Sequence, residues 1–155
     1  MPEDTFEEFY RHYYPRAVAV ARVLAGARTA EDIAQDAFVA AYRRWDDIDQ
    51  PEHWIMRVVA NRSRSVLRRR YTEARAIGKL ASTLEEVPEL SDSTEEFWSA
   101  VRGLPRRQAQ TVALVYVDQL STGEVAEILG CEESTVRVHL HRARQKLARR
   151  YEAEI

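Results

Sequence analysis

The chain has 155 residues, 45% of them apolar, a formal net charge of −2 and a single cysteine. That length suits one ordinary domain or two small ones, and the apolar share excludes a disordered chain. Cys131 alone excludes an internal disulfide and a cysteine-built zinc site, and it reads as a small, partly buried turn residue.

Five glycines and five prolines, with long stretches free of both, favour helices over a turn-rich β fold. No apolar run approaches the roughly 18 residues of a membrane span. The start, Met1-Pro2-Glu3-Asp4, is acidic and lacks a signal-peptide core, so a cytoplasmic protein without membrane insertion is expected. Charge is distributed in blocks. Arg57, Arg62, Arg64, Arg68, Arg69, Arg70, Arg75 and Lys79 face one acid, Glu73. Arg137, Arg142, Arg144, Lys146, Arg149 and Arg150 face none. Between them lie Glu85, Glu86, Glu89, Asp92, Glu95 and Glu96. Two basic blocks are either two polyanion contacts or two solvated helix faces.

In chain order, Thr5-Phe6-Glu7-Glu8 reads as a capping box that starts a helix near Phe6. Its apolar face is Phe6, Phe9, Tyr10 and Tyr13. Pro15 is expected to kink it or begin a second piece, and Gly26 to stop it. Thr29 is the expected cap of the next helix, whose buried stripe is Ile33, Ala37, Phe38, Ala41, Tyr42 and Trp45. Asp32, Gln35, Asp36, Val39 and Arg43 fall opposite. A polar loop from Asp46 to Gln50 precedes Pro51, which suits the first turn of a third helix. There Trp54, Ile55, Val58, Val59, Val66 and Leu67 form the buried stripe, with Asn61, Arg64 and Arg68 on another side. The pattern fades after Arg70, and residues 72–92 read as an acidic linker.

A second helical unit opens at Ser93-Thr94-Glu95-Glu96, another capping box, and breaks at Gly103-Leu104-Pro105. A helix from about Pro105 to Val117 is expected to bury Ala109, Val112, Ala113 and Tyr116. Ser121-Thr122-Gly123-Glu124 caps a short helix carrying Val125, Ala126, Ile128 and Leu129, with Gly130 beyond its end. Glu133-Ser134-Thr135 starts the last helix, with Val136, Leu140, Ala143 and Leu147 inward. A short helix, a glycine turn and a longer basic helix make a helix-turn-helix, whose second helix lies in the DNA major groove. Arg137, His141 and Arg144 then share an outward face, and Arg137 offers a bidentate fork to guanine. Thr135, Arg142, Lys146 and Arg149 suit phosphates. A plain three-helix packing unit with a basic exterior is the alternative.

The run LSTGEVAEILGCEESTVRVHLHRARQKL resembles the C-terminal DNA-binding domain of sigma factors. The runs AEDIAQDAFVAAYRRW and PEHWIMRVVANRSRSVLRRR resemble their other conserved domain. The order and the short linker resemble the extracytoplasmic-function group, with no sign of the extra domains of the housekeeping type. The resemblance implies an all-α chain of two domains: a region 2-like bundle over residues 1–71 and a region 4-like helix-turn-helix over 93–155, joined by the flexible linker at 72–92. It implies that Asp32, Gln35, Asp36, Val39 and Arg43 dock on the coiled coil of the β′ subunit of core RNA polymerase, the partner being its β and β′ subunits. It implies that Gln50, His53, Arg57, Asn61, Arg64 and Arg68 serve the melted minus-10 element, with a loop from Asp46 to His53 taking a flipped base. Ser134, Thr135, Arg137, Val138, His141, Arg142 and Lys146 would serve the minus-35 element. A basic track with a polar pocket suits such single strands. Trp54 offers a stacking platform, but its place on the apolar stripe favours core packing. Val138 stands where the family often has serine and His141 where it often has an aromatic, so the promoter sequence is not predicted.

Promoter DNA and an anti-sigma factor are the other implied partners, with no cofactor and no chemistry on the chain. An enzyme is the first rival. His12, His53, His139 and His141 form no metal pattern, and HExxH, P-loop, GxSxG and calcium-loop motifs are missing from the sequence. A sigma-like module that sequesters an anti-sigma factor is the second rival, and it would not need two basic helices. An ordinary DNA-binding regulator, the third, would not need the first domain.

Overall fold

A computed structural model of the chain describes residues 2–77 and 92–153. Most of the expected acidic linker, residues 78–91, lies outside them. The described residues form seven α-helices and one 3₁₀ turn, with no strand.

The first unit packs α1 (Pro2–Ala25), α2 (Ala27–Arg43) and α3 (Pro51–Ile77) around one core. Ala17, Ala21, Ala34, Ala37, Ala41 and Ala60 are fully buried, and such small side chains let the helix backbones approach closely. Val20, Leu24, Ile33, Phe38, Ile55, Met56 and Val59 fill the space between them. The rings of Phe6 and Phe9 pack with those of Phe38 and Trp45 at one end, with centroids 5.1–6.5 Å apart.

Several helix limits differ from those the sequence predicts. The first helix begins at Pro2, a residue suited to the first helical position, so Thr5 lies within the helix rather than at its cap. It also runs unbroken through Pro15. Pro15 is exposed, so the carbonyl left without a partner faces water. The second helix starts at Ala27, with Gly26 as its N-cap at φ 97° and ψ 162°. Thr29 therefore sits inside the helix, its hydroxyl donating to the Ala25 carbonyl at 3.4 Å. Tyr42 is 55% exposed rather than buried, with only its ring edge against Phe6 at 5.1 Å. Trp54 packs partly buried against the core, as its stripe position predicts. The third helix continues to Ile77, past the fading of its periodicity at Arg70.

The second unit comprises α4 (Asp92–Arg102), α5 (Arg106–Tyr116), α6 (Thr122–Leu129) and α7 (Glu133–Ala153). The Ser121–Glu124 capping box forms in full: the Glu124 amide donates to the Ser121 hydroxyl at 3.1 Å and the Ser121 amide to the Glu124 carboxylate at 3.3 Å. Gly130 ends α6 at φ 71° and ψ 41°, the left-handed conformation that favours glycine. Val136, Leu140, Ala143 and Leu147 of α7 are buried, as the spacing predicts.

Helix α5 departs most from expectation. Every residue from Gln108 to Leu114 is buried, the polar Gln108, Gln110 and Thr111 included. A one-sided helix would show a stripe. This one packs against α7 on one side and against α1 of the first unit on another. Tyr116, expected in its stripe, is instead 46% exposed. Its hydroxyl accepts from the Arg144 guanidinium, which spans the surface from α7.

Candidate nucleic-acid and polymerase interfaces

The predicted site residues fall in three sets, on α2, on α7 and on α3 with Gln50 just before it. On α2, Asp32, Gln35, Asp36, Val39 and Arg43 are all exposed. Their spacing of three and four residues puts them on one face. Val39 is 49% exposed and Tyr42 lies beside it, so the face carries apolar as well as charged surface. Asp36 is 3.6 Å from the Arg62 guanidinium of α3, and Gln35 donates to the Tyr14 hydroxyl at 3.5 Å. Sequence periodicity had assigned Tyr42 to the core. Its ring edge does touch core aromatics, and only its position at the rim exposes the rest.

On α7, Ser134, Thr135, Arg137, Val138, His141, Arg142 and Lys146 are exposed, above the buried stripe. Glu133 staples the motif: its carboxylate accepts from the Thr122 hydroxyl of α6 and from the Arg137 guanidinium, both at 2.8 Å. The Thr122 hydrogen bond, and then the charge of Arg137, hold the Glu133 carboxyl below its ordinary range. The Arg137–Glu133 pair is largely exposed and therefore weak, which leaves the Arg137 fork free to exchange partners. His139, partly buried on the same helix, is pushed down from its ordinary value by burial and then by Arg107 and Arg142.

The third set runs along α3, where Gln50 precedes the helix and His53, Arg57, Asn61, Arg64 and Arg68 follow at helical spacing. Gln50, Arg57 and Arg68 are exposed, and His53, Asn61 and Arg64 are half-buried. The four between Gln50 and Arg68 face the second unit. His53 Nδ1 lies 3.3 Å from the Glu127 carboxylate and 3.2 Å from the Gln50 side-chain oxygen. Arg57 donates to the carbonyls of Ile128 at 2.6 Å and Glu127 at 3.0 Å, at the end of α6. The Asn61 side-chain oxygen accepts from Arg106 at 2.6 Å and from Gln110 at 3.2 Å. Arg64 donates to the carbonyls of Leu104 at 3.1 Å and Arg102 at 3.3 Å, at the C-terminal end of α4 and just past it. Burial works against the Arg64 charge, and those carbonyls replace the water it has lost.

Further contacts join the same two units. Arg16 of α1 makes a bidentate pair with Asp118, at 2.7 and 2.9 Å, and the Asp118 side chain is only 3% exposed. That hydrogen bond strengthens the hold of Arg16 on its proton. Gln110, 1% exposed, donates to the Ala60 carbonyl at 3.2 Å, and Arg102 donates to the Val23 carbonyl at 3.0 Å while pairing with Glu95. Sequence reasoning did not single out Arg16, Arg102, Arg106, Gln110 or Asp118. The one available sign was the set of polar residues at 108, 110 and 111 within an otherwise apolar helix.

Comparison with known proteins agrees over both units. The family model described as Sigma-70 region 2 matches residues 9–72, and that described as Sigma-70, region 4 matches residues 94–147. The chain is 31% identical over 141 residues to the ECF RNA polymerase sigma factor EcfG of Rhodopseudomonas palustris, covering 86% of this chain and 78% of the relative. It is 29% identical over 144 residues to the ECF RNA polymerase sigma factor SigW of Bacillus subtilis, covering 81% and 77%. Among solved structures, its fold is similar to that of the sigma factor RpoE of Bartonella quintana, in complex with the anti-sigma factor NepR. That match has a TM-score of 0.74 at 22% identity and covers 97% of this chain and 99% of the other. It is also similar to CnrH, in complex with the cytosolic domain of CnrY, with a TM-score of 0.75 at 21% identity, covering 99% and 91%.

Proposed function

The chain belongs to the extracytoplasmic-function group of sigma-70 RNA polymerase sigma factors, and from that premise we propose how its surfaces divide the work of starting transcription. Sigma factors are non-enzymatic initiation factors, and the role of this chain is to direct RNA polymerase to promoters. The exposed face of α2 docks on the β′ coiled coil of core polymerase, with Val39 supplying the apolar contact and Asp32, Asp36 and Arg43 the charges. The outward face of α7 enters the major groove of the minus-35 element. There Arg137 reads a base edge, while Thr135, Arg142 and Lys146 hold phosphates. The line on α3 takes the melted minus-10 strand, Asn61 and its basic neighbours gripping bases and backbone once the strands part.

The observation that carries this reading is the segregation by face: the α2 and α7 sets are exposed and lie off their helices' buried stripes, and the α3 set from His53 to Arg68 follows one helical line off the core of the first unit. An RNA polymerase partner implies that the chain works in the bacterial cytoplasm. Among the described residues no helix is long and apolar enough to cross a membrane. An anti-sigma factor is its proposed regulator, since the sigma factor RpoE, whose fold is similar, is bound to the anti-sigma factor NepR.

Run-off transcription with purified core polymerase on a pool of genomic fragments tests the function. Discrete transcripts that depend on the chain and start downstream of a shared pair of motifs are expected. No transcripts together with no capture of core polymerase would return the anti-sigma-sequestering reading. Capture without transcripts would locate the fault in promoter supply.

A further inference from the structure

The line of α3 assigned to single-stranded DNA is the line on which the second unit sits. Arg57, Asn61 and Arg64 spend their hydrogen bonds on Glu127, Ile128, Arg106, Gln110, Arg102 and Leu104, all from the other unit. The Asn61 oxygen and the engaged N–H groups of Arg57 and Arg64 are thereby withheld from a nucleotide, and only the exposed Arg57 keeps further N–H donors turned to solvent. The α7 face stays open to solvent, so the masking is one-sided.

We propose that this packing is a self-closed state, in which the second unit masks the single-strand-reading line while leaving the duplex-reading helix free, and that the Arg16–Asp118 pair is its latch. The proposal rests on the assignment of the α3 line to single-stranded DNA. The latch role follows from position and burial. Arg16 and Asp118 lie 102 residues apart in sequence, on neither DNA-reading line and not on the α2 face. Both carboxylate oxygens are engaged, by two guanidinium nitrogens of one residue. Opening the units would break both charge-assisted hydrogen bonds, so the pair opposes separation where it competes with no nucleic-acid contact. The arginine bonds work differently. Arg57 and Arg64 satisfy carbonyls near the C-terminal ends of α6 and α4, where a cation is favoured. Phosphates offer those guanidiniums the same charge-assisted bonds, so polyanion competes directly for them while the latch resists.

The experiment uses the full chain and two variants, Arg16→Ala and Asp118→Ala. Small-angle scattering reads compactness, and binding of a fluorescent single-stranded oligonucleotide of random sequence reads access to α3. Circular dichroism checks that both variants keep their helices. Arg16 is one-third exposed, so its truncation tests the latch even if Asp118→Ala fails to fold. Both variants should expand and bind the oligonucleotide roughly ten-fold tighter than the parent chain, as when a competent minority of about a tenth becomes most of the population. Adding Arg57→Ala and Asn61→Ala to Arg16→Ala should remove that gain. A folded variant as compact as the parent would overturn the latch and leave the assignment of α3 untouched. Expansion without tighter binding, or a gain that survives the loss of Arg57 and Asn61, would overturn the masking by showing that α3 is not the single-strand reader.

Discussion

Arg137 occupies the position from which a helix-turn-helix most directly reads a base, in the first turns of α7 and on its exposed side. Its present partner, Glu133, is a surface carboxylate that a guanine edge can replace. Arg137→Ala is therefore expected to cost about 1–3 kcal/mol at one minus-35 base pair and to relax discrimination there, with neighbouring positions unchanged. Binding to a panel of single-base promoter variants by the chain on core polymerase checks this, and uniform weakening across the panel would reassign Arg137 to the phosphates. His139 supplies a pH dependence. Its folded value lies below the ordinary 6.5, so the unfolded chain takes up the proton first as pH falls. The His139 contribution to stability is thus complete above about pH 6.5, declines below it, and levels off once the folded form also protonates. Denaturant unfolding of the parent and of His139→Gln between pH 7.5 and 5 should show a difference that narrows as pH falls.

At the level of elements, helix positions and most inward faces were legible in the sequence, because apolar periodicity and capping boxes act locally. The α6 cap and the α7 stripe follow directly from Ser121, Glu124, Val136 and Leu140. The misjudged limits have local causes too. At the joint between α1 and α2, Thr29 competed with Gly26 as a cap, and the glycine prevails because a one-residue joint needs a backbone that side chains resist. Replacing it should be costly: Gly26→Ala forces a Cβ into φ 97°, ψ 162°, a region occupied essentially by glycine alone, and should lower stability by about 1–3 kcal/mol in equilibrium unfolding. A variant as stable as the parent would mean that the joint can rearrange. Tyr42 and Tyr116 were placed inside by the same periodicity that placed Phe38 and Ala113 correctly. A period reports the side of a helix, and it does not report where along the helix the covering neighbour ends.

For the whole molecule, the sequence announced two units and their order but not their embrace. The polar contacts that join them are bonds from arginine or glutamine to backbone carbonyls, the bonds of Arg106 and Gln110 to Asn61, and the pairs Arg16–Asp118 and His53–Glu127, and none leaves a periodic trace. The resemblance assigns Arg57, Asn61 and Arg64 to nucleic acid, and the guanidiniums of Arg57 and Arg64 also suit the carbonyls at the helix ends of a neighbouring unit. A cationic line on a helix is thus ambiguous from sequence alone: it marks a surface that seeks acceptors, and a folded protein has two sources of them, the ligand and its own helix ends.

The carbonyl partners carry an evolutionary corollary. Glu127, Ile128, Leu104 and Val23 accept across the joint through main-chain oxygens, which no substitution deletes. Their side chains can drift while the accepting atoms stay in place, so long as the helices end where they do. The donors have no such freedom, because lysine cannot reproduce a forked guanidinium. Inheritance of the closed form should therefore track a few side chains, Arg57 and Arg64 with Arg16 in the first unit and Arg102 with Asp118 in the second, together with helix lengths. A chimera that grafts the second unit of a diverged relative onto this first unit is expected to close when its helix ends align and a carboxylate stands at the place of Asp118.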